Sequence, residues 1–174
     1  MNDIIKAMEE RRSIRKFKAD MPSKNDIDQI IEAGLYAASG MGRQNVIIVA
    51  ITNKQERDRL MKLNAKIMGV DSDPFYGAPA VLLVLVDKAA MTAENDGELV
   101  IQNMLLAAHD LGLASCYIWR AKQELETEEG KQMLADWGLP TNVEYEGVGH
   151  VILGYADMEA PNPAPRKENY VYRV

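Results

Sequence analysis

The sequence predicts an α+β layered domain built on a mixed central sheet. Two observations carry this. Four short apolar runs, at residues 46–52, 80–86, 113–119 and 147–155, have the length and composition of buried strands. The segments between them repeat apolar residues at helical spacing, and helices and strands alternate only loosely, unlike a regularly wound parallel sheet. At 174 residues the chain is one domain's worth, 1–174 as a single unit.

The elements follow in order. Residues 3–11 read as a short helix with Ile4, Ile5 and Met8 on one face. Pro22-Ser23 opens a second helix, with Ser23 as cap and Asp26 as its capping-box partner. Ile27, Ile30, Ile31, Gly34 and Leu35 form its buried stripe, and it stops near Ala38 before the loop residues Ser39-Gly40-Met41-Gly42. The run 46–52 is a buried strand. Asn53 caps a third helix that turns Leu60, Leu63 and Ile67 inward, and 69–79 is a long loop. A second buried strand covers 80–86. Residues 93–111 form the longest helix, apolar on nearly every face from Leu99 to Leu111, and are expected to run through the middle of the fold. A third strand covers 113–119. The acidic run at 124–129 reads as a solvated helix start, leading into a helix over 128–137 that is closed by Gly138 and Pro140. A fourth strand covers 147–155. The proline-rich tail has little core of its own, so it must lie on something, and a partner subunit is one candidate.

The net charge of −6 argues against a nucleic-acid binder. Against that background RRSIRKF, residues 11–17, gathers Arg11, Arg12, Arg15 and Lys16 around Ser13. Arginine presents a planar fork of donors that matches phosphate oxygens two at a time. In an extended stretch Arg11, Ser13 and Arg15 share one side. The segment is either a grip for a small anion such as a phosphate or a solvated basic end complementing the first helix. SGMGRQN, residues 39–45, allows close backbone approach through its glycines; it is neither a Walker loop nor GxGxxG, and a plain connection is the alternative. LGLASCYIW, residues 111–119, offers backbone N–H groups at a strand end, or is a plain core strand. Arg166 sits among prolines that place it at low entropic cost, as an anion ligand or an exposed tail residue. The one cysteine, Cys116, reads as a buried structural thiol, and His109 and His150 as hydrogen-bonded core or rim residues. No metal site is expected from this set. The N-terminus lacks a basic-then-apolar secretory pattern, and no apolar run approaches a membrane span, so the cytoplasm is the expected location.

The order RRSIRKF, AASGMGRQN, DPFYGAPAVLLV, LGLASCYIW, VILGYAD, PAPRKENYVY resembles the nitroreductase family of FMN-dependent oxidoreductases over nearly the whole chain. The resemblance implies a mixed, mostly antiparallel sheet flanked by helices, and a homodimer whose C-terminal segments are exchanged, with FMN at the interface. It assigns Arg11, Arg12, Ser13 and Arg15 to the FMN phosphate, ribityl chain and pyrimidine edge. It assigns Ser39, Gly40, Met41 and Gln44 to a loop that meets the flavin from the partner, the backbone of Tyr117, Ile118 and Trp119 to the ring, and Arg166 to the phosphate. Gly42 stands where many members carry Asn, Asn45-Val46 where they carry Pro-Trp, and Asp71 to Pro74 where larger members carry a Lys/Asn pair. The implied activity is NAD(P)H-driven, ping-pong reduction of nitroaromatics, quinones or related acceptors. A flavin-destructive or dehalogenase-like relative, and a non-enzymatic anion-binding module, are the alternatives.

Overall fold

The computed structural model describes residues 3–174. Helix α1 (Asp3–Glu10) is followed by an extended arm through residue 18, then α2 (Lys24–Leu35). Ser23 caps α2 as expected: its Oγ accepts from Asp26 N and donates to the Asp26 carboxylate. Strand β1 (Val46–Ile51) leads to α3 (Lys54–Met68), whose Asn53 cap accepts from Gln55 N and Glu56 N and whose end is set by Gly69 at φ 73. Then come β2 (Ala80–Asp87), α4 (Ala93–Asp110), β3 (Ala114–Ile118), α5 (Ala121–Glu126), α6 (Glu128–Asp136) and β4 (Tyr145–Gly154).

The strands form one sheet in the order β1-β2-β4-β3, and every pair is antiparallel. The parallel element is a bridge between Ser13 of the arm and Ser115. An antiparallel bridge, Phe17 to Ala156, holds the other end of the arm. A register shift between Val84 and Leu85 falls opposite Gly147–Gly149.

Strand β2 is the axis of the core. Its alternate side chains feed two clusters. Leu82, Val84 and Val86 pack with Ile27 and Ile30 of α2 and Val100, Ile101 and Met104 of α4. Val81, Leu83 and Leu85 pack with Leu60 and Leu63 of α3, Leu125 of α5, Met133 of α6 and the arm's Ile14 and Phe17. Helices therefore cover both faces of the sheet.

Several expectations change. The strand at 46–52 is an edge strand and only half-buried, because none of the described residues pairs with its outer side. Helix α4 lies on one face of the sheet rather than through the middle, leaving Leu99 and Leu111 exposed. Helix α2 stops at Leu35, which is exposed; Gly34 is the buried residue, because a Cβ there would lie 2.7 Å from Met104 Cγ. The apolar face of α1 is uncovered within one chain. The acidic run contains a separate helix, α5, whose Glu124 is fully buried instead of solvated. The tail beyond residue 156 is exposed. No helix among the described residues is long and apolar enough to cross a membrane.

Candidate functional site

The arm sets the site. Ile14 N donates to Ser115 O at 3.0 Å, Lys18 N to Tyr155 O at 2.9 Å and Asp157 N to Lys16 O at 3.0 Å, so residues 14–18 lie across the sheet's end. Buried Ile14 and Phe17 anchor it, which turns its basic residues outward. Among the described residues, Arg11 Nη1 is buried and has no hydrogen-bond partner. An unpaired buried donor costs about 1–3 kcal/mol, so this nitrogen calls for an acceptor that the described residues do not supply. Arg12 behaves differently: its Nη1 donates to Glu9 O at 2.6 Å and Arg11 O at 2.8 Å, completing the end of α1.

Beside the arm lies Cys116, buried as expected, with Sγ 3.4 Å from Tyr117 O. Burial pushes its thiol pKa up; a hydrogen bond with Ser13 and the positive charges of Arg15 and Arg11 pull the other way. Both arginines thus act on this strand. Arg15 lines a cleft of about 250 Å³ with Tyr117, Ile118, Trp119 and Arg120 on one side and Ser72, Asp73, Pro74 and Tyr76 on the other. The second wall is held by Arg57, whose Nε donates to Ala78 O at 3.0 Å and whose Nη2 reaches Asp73 at 2.5 Å. Asp73 in turn accepts from Phe75 N and Gly77 N, so the loop 69–79 is fixed.

At the strand end, Trp119 is exposed and Arg120 has a left-handed backbone, φ 87. Among the described residues, the backbone N–H groups of Trp119 and Arg120 donate to nothing. Tyr117 points to the opposite face, where its hydroxyl is 3.2 Å from Glu98 Oε1 and donates or shares with Val148 O at 3.2 Å. Burial, and then the Glu98 charge, push its phenol up to about 12.

The expected residues are only partly brought together. Arg15, Tyr117, Ile118 and Trp119 share the cleft. Arg11 and Arg12 line a neighbouring hollow of about 240 Å³ with Ser115 and His109. Ser39, Gly40, Met41 and Gln44 line neither. Ser39 Oγ accepts from Gln44 N, and Gly40 N donates to buried Asp96 of α4 at 3.0 Å. Gly40 is required there, since a Cβ would lie 2.1 Å from Thr92 Oγ1. Met41 and Gln44 both take positive φ, and Met41 is exposed. Arg166 folds back on Ala164 O and stays exposed. Asn64 and Glu124 gave no signal of a role in the sequence, because the partners of each lie far away along the chain.

This architecture defines a class: an α+β protein whose basic arm and strand end frame a cleft suited to an anionic ligand. The model of the nitroreductase family matches residues 8–72, which contain the whole arm. Over 122 residues the chain is 30% identical to the FMN reductase [NAD(P)H] of Bacillus subtilis (strain 168), covering 66% of this chain and 47% of that one. It is 31% identical over 134 residues to the NADPH-flavin oxidoreductase of Vibrio harveyi, covering 68% of this chain and 54% of the relative. The chain thus spans about half the length of these relatives. A crystal structure of a nitroreductase with bound FMN from Bacteroides fragilis superimposes with a TM-score of 0.90 at 26% identity, over 100% of both chains. The chain is thus similar to the nitroreductase family in its arm, and its fold is that of an FMN-bound nitroreductase.

Proposed function

We propose that the chain is an FMN-dependent NAD(P)H oxidoreductase that reduces nitroaromatics, quinones or related acceptors with ping-pong kinetics. The carrying observation is Arg11 Nη1, buried and unpartnered at the base of a basic arm. A phosphate oxygen supplies the missing acceptor, and Ser13 and Arg15 extend the same grip. The unpartnered N–H groups of Trp119 and Arg120 supply donors for the polar edge of a ring. Bound FMN would accept reducing equivalents from NADH or NADPH and pass them to the acceptor. The chain's part is to bind, to orient and to place positive charge: Arg15 beside the cleft favours a ligand that gains negative charge.

The active form in this reading is a homodimer, and the cytoplasm, with its nicotinamide pool, is its setting. Ile4, Ile5 and Met8 on α1, Leu35 at the end of α2 and Tyr36 just beyond it, and Leu99 on α4 are all exposed in one chain. A soluble surface rarely leaves so much apolar area open. A second copy covers these faces, the C-terminal segments cross to it, and the loop 39–45 and Arg166 complete the partner's cleft.

An absorbance spectrum of the purified protein, before and after NADH, is the test. A yellow protein that bleaches with NADH and recovers with a nitroaromatic or quinone supports the proposal. A protein that takes up no FMN sinks it, and if it binds phosphate ligands it is an anion-binding module. A flavin that is bound but sustains no NADH oxidation points to a flavoprotein without reductase turnover. Light scattering of a monomer would remove the dimer.

A further inference from the structure

Three polar side chains that the proposed function does not use lie behind the end of β3 with no exposure at all: Asn64, Glu124 and His150. Burying a carboxylate is tolerable where its oxygens are paired, and here they are. Glu124 Oε1 accepts from Asn64 Nδ2 at 2.5 Å, and Oε2 lies 2.8 Å from His150 Nε2. His150 Nδ1 is 3.1 Å from Ile118 O. A carbonyl can only accept, so Nδ1 carries a hydrogen, and one further proton is held between Nε2 and Oε2. Asn64 Nδ2 also donates to Trp119 O at 3.1 Å, and its Oδ1 accepts from Arg120 Nε at 3.0 Å.

Two successive carbonyls, 118 and 119, are therefore drawn back into the core. The peptides are trans. In a planar trans peptide the carbonyl of one residue and the N–H of the next point in opposite directions. Pinning Ile118 O and Trp119 O from behind thus turns the N–H groups of Trp119 and Arg120 the other way, and these are the two that donate to nothing. The left-handed φ of 87 at Arg120 is costly for a non-glycine residue and persists where its surroundings over-determine it. Arg120 is held at its side chain by Asn64 and at its carbonyl, which accepts from Glu124 N.

We propose that Asn64, Glu124 and His150 are positioning residues that aim the N–H groups of Trp119 and Arg120 into the cleft as a fixed donor pair for the flavin ring edge. This rests on FMN being the ligand. Glu124→Gln keeps an acceptor for Asn64 and offers a donor to His150 Nε2, so the clamp survives. Asn64→Ala and Glu124→Met break it. The measurement is the flavin midpoint potential of FMN-loaded protein, with FMN affinity and Tm alongside. Each breaking variant should change the ratio of affinities for oxidised and reduced FMN about three- to tenfold, the scale of one hydrogen bond. That is a displacement of about 15–30 mV for a two-electron couple. Glu124→Gln should return the wild-type potential. In the wild type, the exchange of the Trp119 and Arg120 amide hydrogens should slow at least about tenfold on FMN binding, as expected for a newly formed hydrogen bond.

A lowered Tm with an unchanged potential in the FMN-loaded breaking variants overturns the proposal and leaves these residues a purely structural role. Absence of amide protection in the wild type overturns it even where those variants do not fold. A wild-type protein that takes up no FMN fails earlier and removes the ligand assignment as well, so the two failures are distinct.

Discussion

Replacing Arg11 by alanine separates binding from stability. In the FMN-free protein the substitution deletes a buried, unpartnered nitrogen, which relieves about 1–3 kcal/mol. It also loses packing of the arginine stem, which acts in the other direction. The FMN-free Tm should therefore stay level or rise. Binding should move the opposite way. A charge-assisted hydrogen bond is worth about 1.5–3 kcal/mol, so the Kd for FMN should rise about ten- to hundredfold. At a free FMN concentration of about 100 times the wild-type Kd, the ligand adds about 2.7 kcal/mol of stability. A hundredfold weaker Kd leaves about 0.4 kcal/mol of that. For a chain of this size the lost difference lowers the loaded Tm by about 5–9 °C. Flavin-fluorescence titration and paired melts, with and without FMN, read both quantities. Lys24→Ala, which removes one exposed charge paired with Asp28 on α2, is the charge control. An Arg11→Ala protein with FMN affinity within threefold of wild type and a lower FMN-free Tm would refute the reasoning, because Arg11 would then be a structural residue.

Three further outcomes are expected. Gly147→Ala should lower stability by roughly 1–3 kcal/mol, since its Cβ would lie 2.4 Å from backbone atoms of Ala121 and α5 must shift; a wild-type denaturation midpoint would contradict this. Cys116 should resist iodoacetamide in mildly alkaline buffer until the protein is unfolded, because burial both covers the thiol and raises its pKa; stoichiometric labelling of folded protein argues otherwise. Tyr117 should ionise near 12 in a phenolate titration, and Tyr117→Phe should abolish that step. A raised folded pKa means the protonated phenol is the favoured form. Its contribution is whole below the ordinary phenol range of about 10 and fades as pH climbs toward 12; a step at the ordinary value would show the hydroxyl to be open to water.

What was legible in the sequence was local. Ser23 and Asn53 announced their helices because a cap acts within three residues. The seven-residue apolar run of β2 announced a strand buried on both faces. Helix α5 was hidden because its cap position is Arg120, which makes no capping bond, and because six residues are too few to show a period. Glu124 looked solvated among its acidic neighbours; its partners Asn64 and His150 are 60 and 26 positions away. The basic arm was visible as charge, and the burial of one arginine nitrogen was not, since that depends on strand β3 a hundred residues later. The strand order and the one-sided seat of α4 depend on long-range packing and left no local mark.

The arm's anchorage also dictates when it can be set. Its clasp to the sheet is made with Ser115, Tyr155, Ala156 and Asp157, and Lys16 closes on Asp157 at 2.7 Å. During synthesis residues 13–18 must wait until residues 155–157 have emerged before their resting place exists. Contacts so distant along the chain are slow to form. A ribosome-stalled product ending before residue 150 would carry the arginines without the ledge that orients them.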